Sequence, residues 1–411
     1  MNLSDYPYWI RRALEEEEDV YDTAVNKIVP AVLLAYRNAQ RQLIELIRQI
    51  YRRDALDILN VLDSPVRITK LTNLTRQARQ IEDENTRRQV KLYINSLAAR
   101  PRVTELERLI ATAFIVIKQV ASIQAEAQTN FHVDIVYRAF KQASAEAIIG
   151  KAEINNTPIE DLETVKRIST GGVRNILNTR WFGKNYYERI QSDTNALIKE
   201  LNALFTNEVF PQRSEREMIR EVRDIFNASE KIAVRLIRTE AAFIQGQAKL
   251  KAWRENSVEK YVLVAVLDFR TSLFCRNIDG EVFLITSAVV GFNFPPFHPR
   301  CRTIAMSYFG RHSLTGTRFA TDEITGEVTR VPKRINYREW EQRLIEKHGV
   351  DAIEIARQKI KNYTRDKEQW RRYKAVLGVE ELRFFDDFQE LKYTQSDKWE
   401  ELKTKFRKAN R

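Results

Sequence analysis

From Tyr8 to about Asn256 the apolar positions recur at helical spacing: Tyr36, Leu43, Ile47 and Ile50 stand three, four or seven apart, and Leu106, Leu109, Ile110, Phe114 and Ile117 repeat the pattern. Long amphipathic helices packed on one another are the expected outcome. Thr104 with Glu107 and Ser214 with Glu217 each fit a capping box, in which a side-chain oxygen accepts an early helix N–H and the Glu reaches back. Pro30, Pro65, Pro101, Pro158 and Pro211 mark kinks or breaks, and Gly171-Gly172 reads as a further loop. The spacing predicts separate helices over roughly 215–226 and 229–256.

At Val258 the pattern changes. YVLVAVLDF is β-rich, and EVFLI follows the turn signal Asn277-Ile278-Asp279-Gly280, which predicts a hairpin. NFPPFHPRC is a loop stiffened by Pro295, Pro296 and Pro299, whose rings set φ. FATDEITGEVTRVPKR reads as a polar hairpin, and beyond Asn336 helical periodicity returns with dense charge. The fold class expected is α+β: predominantly long α-helices, with a small β-hairpin-containing domain before a charged helical tail. The expected boundaries are a helical region over 1–256 (two sub-bundles, with a break near 155–180), the small domain over 257–332, and the basic tail over 333–411.

Composition agrees with a globular chain: 43% of the 411 residues are hydrophobic and 30% charged. A net charge of +12 adds a second expectation, attraction to polyanions such as nucleic acid. Two cysteines suit a reducing compartment rather than a disulfide-built fold. MNLSDYPYWIRRALEEEED turns acidic before an apolar core could form, so no secretory leader is expected, and no apolar run approaches the ~20 residues of a membrane span.

The candidate chemistry is concentrated in residues 268–303. Cys275, His298 and Cys301 offer soft donors suited to zinc, and H-P-x-C sets two of them on one tight loop. Ser272 stands where a C-x-x-C pair would have its first cysteine; Asp268, Asp279 or His312 are the alternatives for a fourth ligand. Two other readings stand beside zinc. In one, both thiols pack as small hydrophobes and His298 hydrogen-bonds to backbone, so no cofactor is required. In the other, a Cys/His pair serves a hydrolase or nucleic-acid-processing enzyme, although no nucleophile motif surrounds either cysteine. Arg238 and Glu240 lie on the helix entering the β region, and Asp268 is the expected partner of the Arg238 fork. In the tail, Arg371, Arg372, Lys374, Lys403, Lys405, Arg407 and Lys408 are interleaved with aromatics and would neutralise phosphates of double-stranded DNA without reading sequence.

These residues resemble the Mu-F-like phage head morphogenesis family, the minor head or minor capsid proteins of tailed phages. The shared motif stands here as Asp268, Arg270, Thr271, Ser272, Cys275, Asp279-Gly280, Pro295-Pro296, His298-Pro299, Cys301-Arg302 and Thr303, with Ser272 and Thr303 in place of cysteines. Tyr8-Trp9, WFGKNYYERI, RLIRTE and the closing FQELKYTQSDKWEELKTKFR are similar to the form found in phages of Gram-positive hosts. The resemblance implies a structural protein and no enzyme. It would be made in the bacterial cytoplasm and carried in the virion, inside the capsid near the portal vertex. Expected partners are the portal protein, packaged DNA, and scaffold or major capsid protein; expected roles are head assembly and DNA packaging or delivery. A mobile basic tail would suit passage with the genome.

Overall fold

The structure, a computed structural model, describes residues 23–66, 68–158, 161, 164–310, 317–378 and 382–410. Tyr8-Trp9 and His312 lie outside these. The chain divides into two compact units, one running to Glu259 and including Leu284–Cys301, the other holding Lys260–Phe283 and the chain from Arg302 onward.

The first unit is helical. After a π-helical turn at Ala24–Ile28 come α1 (Val29–Arg53), α2 (Ile58–Asp63), α3 (Ile68–Arg79), α4 (Glu84–Ala98), α5 (Glu105–Asn155), α6 (Thr170–Leu177), α7 (Tyr186–Leu204) and α8 (Glu215–Glu255). Helix α5 packs against α1, α7 and α8, and the α3–α4 pair packs on its N-terminal half. Leu109, Ile115, Ile117, Val120, Ile135 and Val136 are buried along it, so α5 is the axis of the unit. Both capping boxes form as the spacing requires: Thr104 Oγ1 accepts the Glu107 N–H (3.2 Å), and Ser214 Oγ accepts that of Glu217 (3.3 Å).

Two local expectations fail here. The break between 226 and 229 does not exist, and α8 runs unbroken through Asn227-Ala228-Ser229, where neither proline nor glycine interrupts the hydrogen-bond ladder. Gly171-Gly172 is not a loop. Ser169 caps α6 by accepting the Gly172 N–H (3.1 Å), and a Cβ on Gly172 would come within 2.9 Å of Ile168 and 3.0 Å of Lys251. Close approach of these side chains, rather than a turn, favours glycine there.

In the second unit, β1 (Lys260–Val264) lies between β2 (Val282–Leu284) and antiparallel β3 (Ile304–Tyr308), with Val262 opposite Met306. The expected tight hairpin at Asp279-Gly280 is a longer connection carrying a short helix, α9 (Leu273–Asn277). Gly280 turns the chain into β2 with φ +86°, and its N–H donates to Leu263 O (2.9 Å). The polar hairpin forms as expected from β4 (Thr317–Asp322) and β5 (Glu327–Pro332), paired antiparallel. The tail folds into α10 (Tyr337–His348), α11 (Val350–Leu377), α12 (Phe385–Thr394) and α13 (Ser396–Ala409). The tail is helical, as its periodicity predicts, and its helices pack on one another. Tyr373 stacks on Phe406 at 4.0 Å and on Trp399 at 5.8 Å, around buried Leu382, Phe388 and Leu402. Aromatic burial outweighs charge repulsion in this part of the chain.

Candidate functional site

In the second unit, the motif residues build two carboxylate–guanidinium hubs at the end of β1. Asp268 Oδ1 accepts the N–H groups of Arg270 (3.0 Å) and Thr271 (2.9 Å), closing a turn just past the bridge residue Leu267. Arg302 binds both carboxylate oxygens, at 2.5 and 2.8 Å. The expected partner was Arg238; the fork that clamps Asp268 comes instead from Arg302, two residues before β3. Burial pushes the Asp268 carboxyl up, but Arg302 and Thr271 outweigh it and hold the carboxyl below its ordinary value. Asp279 is the second hub. Arg318 of β4 binds it through both nitrogens (3.0 and 2.5 Å), and the backbone N–H groups of Ala265 and Tyr337 each donate to it at 2.7 Å. One buried carboxylate thus ties β1, β4 and the start of α10, and the Tyr337 hydroxyl donates to Asp268 O (2.9 Å), joining the two hubs.

The first unit holds a second constellation. Glu240 of α8 is buried; it accepts Trp181 Nε1–H (3.2 Å) and faces Arg189 Nε at 3.0 Å. Trp181 stacks on Phe243 (5.2 Å, 12°), and the Arg189 guanidinium lies 5.2 Å from the Trp181 ring centre. Burial pushes the Glu240 carboxyl up to about 7, with Arg189 and Trp181 opposing the rise. Further along α8, Gly246 faces the proline loop: a Cβ there would stand 2.9 Å from the Phe294 ring, and Phe294 packs edge-on to Trp253. Pro295-Pro296 is cis; Pro296 is buried and Pro299 exposed.

Residues 204–306 match the model of the family described as Phage Mu protein F like protein. The chain is Mu F-like over this stretch. No curated protein and no solved structure matches it. The Mu F-like stretch contains α8, both hub carboxylates, Arg302 and the proline loop, whereas Trp181, Arg189, Arg318 and Tyr337 lie outside it. The family is one of phage head morphogenesis.

Within the Mu F-like stretch, Ser272 Oγ accepts the Cys275 N–H (3.2 Å) and caps α9. Cys275 is buried in the second unit. His298 and Cys301 are half-buried on the proline loop of the first, where Cys301 N–H donates to His298 O (3.1 Å), and both cysteines are free thiols. Arg238 is half-buried on α8.

Of the tail cations, Arg371, Arg372, Lys405, Arg407 and Lys408 are exposed. Lys374 is committed internally, donating to Arg383 O (3.0 Å) and lying 4.9 Å from the Trp370 ring, and Lys403 pairs with Glu400. Sequence reasoning missed Arg318, because one arginine in a polar hairpin carries no local mark of burial. It also missed Asp322, which gathers Lys347 (2.9 Å) and His348 (2.7 Å) from the end of α10. Lys-His in the last turn of a helix was the one available hint.

Proposed function

We propose that this chain is a minor head protein of a tailed phage, seated at the portal vertex inside the capsid and contributing to head assembly and to DNA packaging or delivery. The observation that carries the reading is the Mu F-like match over residues 204–306. The state of the motif supports a structural role. Both oxygens of Asp268 and of Asp279 are taken up by guanidinium and N–H donors, so neither carboxylate is left to act as a base. The exposed tail cations support contact with the DNA backbone, which should be salt-sensitive and independent of sequence. Mass spectrometry of purified heads should find the chain, and a tagged copy should retain the portal protein from infected cells. Heads of full composition without it, or a tagged copy that holds no portal protein, would overturn the reading.

Zinc enters this reading only through Cys275, His298 and Cys301. If they hold a metal, it would supply a structural cross-link to the motif. Elemental analysis of the purified chain decides the point: one zinc per chain, lost in Cys301→Ser, assigns the three as ligands, and metal-free protein assigns them to packing.

A further inference from the structure

Between α3 and α4 lies a concavity of about 450 Å³. Its floor is apolar, built on buried Ala78 and Ile94. Its rim is cationic: Arg79 comes from α3, Arg87, Arg88 and Lys91 from α4, and among the described residues Glu84 is the only carboxylate lining it. Arg87 Nη1 donates to Ile81 O (3.3 Å), which anchors that guanidinium beside the opening. Among the described residues, Arg79, Arg88 and Lys91 have no carboxylate within ion-pairing distance. Arg87 and Lys91 stand four apart on one helix face, where like charges weaken a helix, and the one lining carboxylate spaced to offset them is Glu84, three before Arg87 and four before Arg88. Three planar forks and an ammonium around one depression match tetrahedral oxyanions, each able to receive bidentate N–H pairs.

We propose that the α3–α4 concavity is a phosphate-binding site, taking the phosphodiester backbone of nucleic acid or a free polyphosphate. It is separate from the tail cations and independent of the head-assembly reading. In the full chain, the triple variant Arg79→Ala/Arg88→Ala/Lys91→Ala should bind a 20-base-pair duplex at least about tenfold more weakly at 100 mM NaCl, read by fluorescence anisotropy. The slope of log affinity against log salt should fall by about 2 to 3, as three lost phosphate contacts require. All three side chains are exposed, so the melting temperature should hold; should the triple variant fold poorly, Lys91→Glu alone should weaken binding about tenfold. Inorganic tripolyphosphate separates the two sources: competition with the duplex supports the site on the backbone, and tripolyphosphate binding that depends on these residues while duplex binding does not assigns it to a soluble polyphosphate. Unchanged affinity and slope for both ligands would overturn the proposal, as would polyglutamate binding through the same residues as tightly as DNA. A parallel Arg371→Ala/Arg372→Ala/Lys405→Ala variant that alone abolishes duplex binding would move DNA contact to the tail and overturn the backbone assignment.

Discussion

Single side chains set the strength of both constellations. Arg318→Ala should destabilise the second unit by about 3–5 kcal/mol in denaturant melts, because Asp279 would be left buried and charged without its cation. Gly246→Val should cost about 1–3 kcal/mol by the same measurement, since the added carbons overlap the Phe294 ring and force the proline loop off α8. Glu240 has an unusual sign. Its folded pKa is raised to about 7, so between about pH 4.5 and 7 the folded state holds a proton that the unfolded state releases. Its contribution is therefore full at low pH and is lost as pH rises through 7. His132, fully buried and pushed down to about 3, opposes it, because the unfolded imidazole takes up a proton below about pH 6.5. Glu240→Gln keeps an acceptor for Trp181 and removes the first effect, so it should raise the melting temperature at pH 8 more than at pH 5. In the second unit Asp268 and Asp322 are both held below their ordinary values. Their contribution is present above about pH 4 and is lost as pH falls through the folded values.

At the scale of elements, periodicity and capping chemistry were legible because they act over a few residues. Thr104 and Glu107 announce the start of α5 without help from the rest of the chain. Joining 215–226 to 229–256 was less legible. Ser229 carries the chemistry of a helix cap, but it sits inside a continuous ladder, 8% exposed. Ser229→Ala should thus leave the melt within about 0.5 kcal/mol, where loss of a true cap would cost about 1, and Ser229→Pro should cost at least about 3. The Asp-Gly turn misled in the opposite direction. A two-residue hairpin signal describes only the local backbone, whereas the N–H groups of Ala265 and Tyr337, together with Arg318, decide where Asp279 goes.

At the scale of the whole molecule, a net charge of +12 raises the expectation of attraction to polyanions but does not say on which surface. Charge density along the sequence pointed to the tail, yet Lys374 and Lys403 are used up within it, and a second cationic surface arises only where α3 folds against α4. None of the described helices is long and apolar enough to cross a membrane. The sequence by itself determined the helical character, the capping boxes, the β4–β5 hairpin and the Mu F-like motif, since all of these rest on spacing and residue type along a short stretch. Only the tertiary structure decided that Arg302 rather than Arg238 meets Asp268, that Arg318 neutralises Asp279, that Gly246 admits Phe294, and that the tail closes on Tyr373. Each of these depends on which distant side chains share a volume, and hydrophobic periodicity carries no information about partners that far apart in the chain.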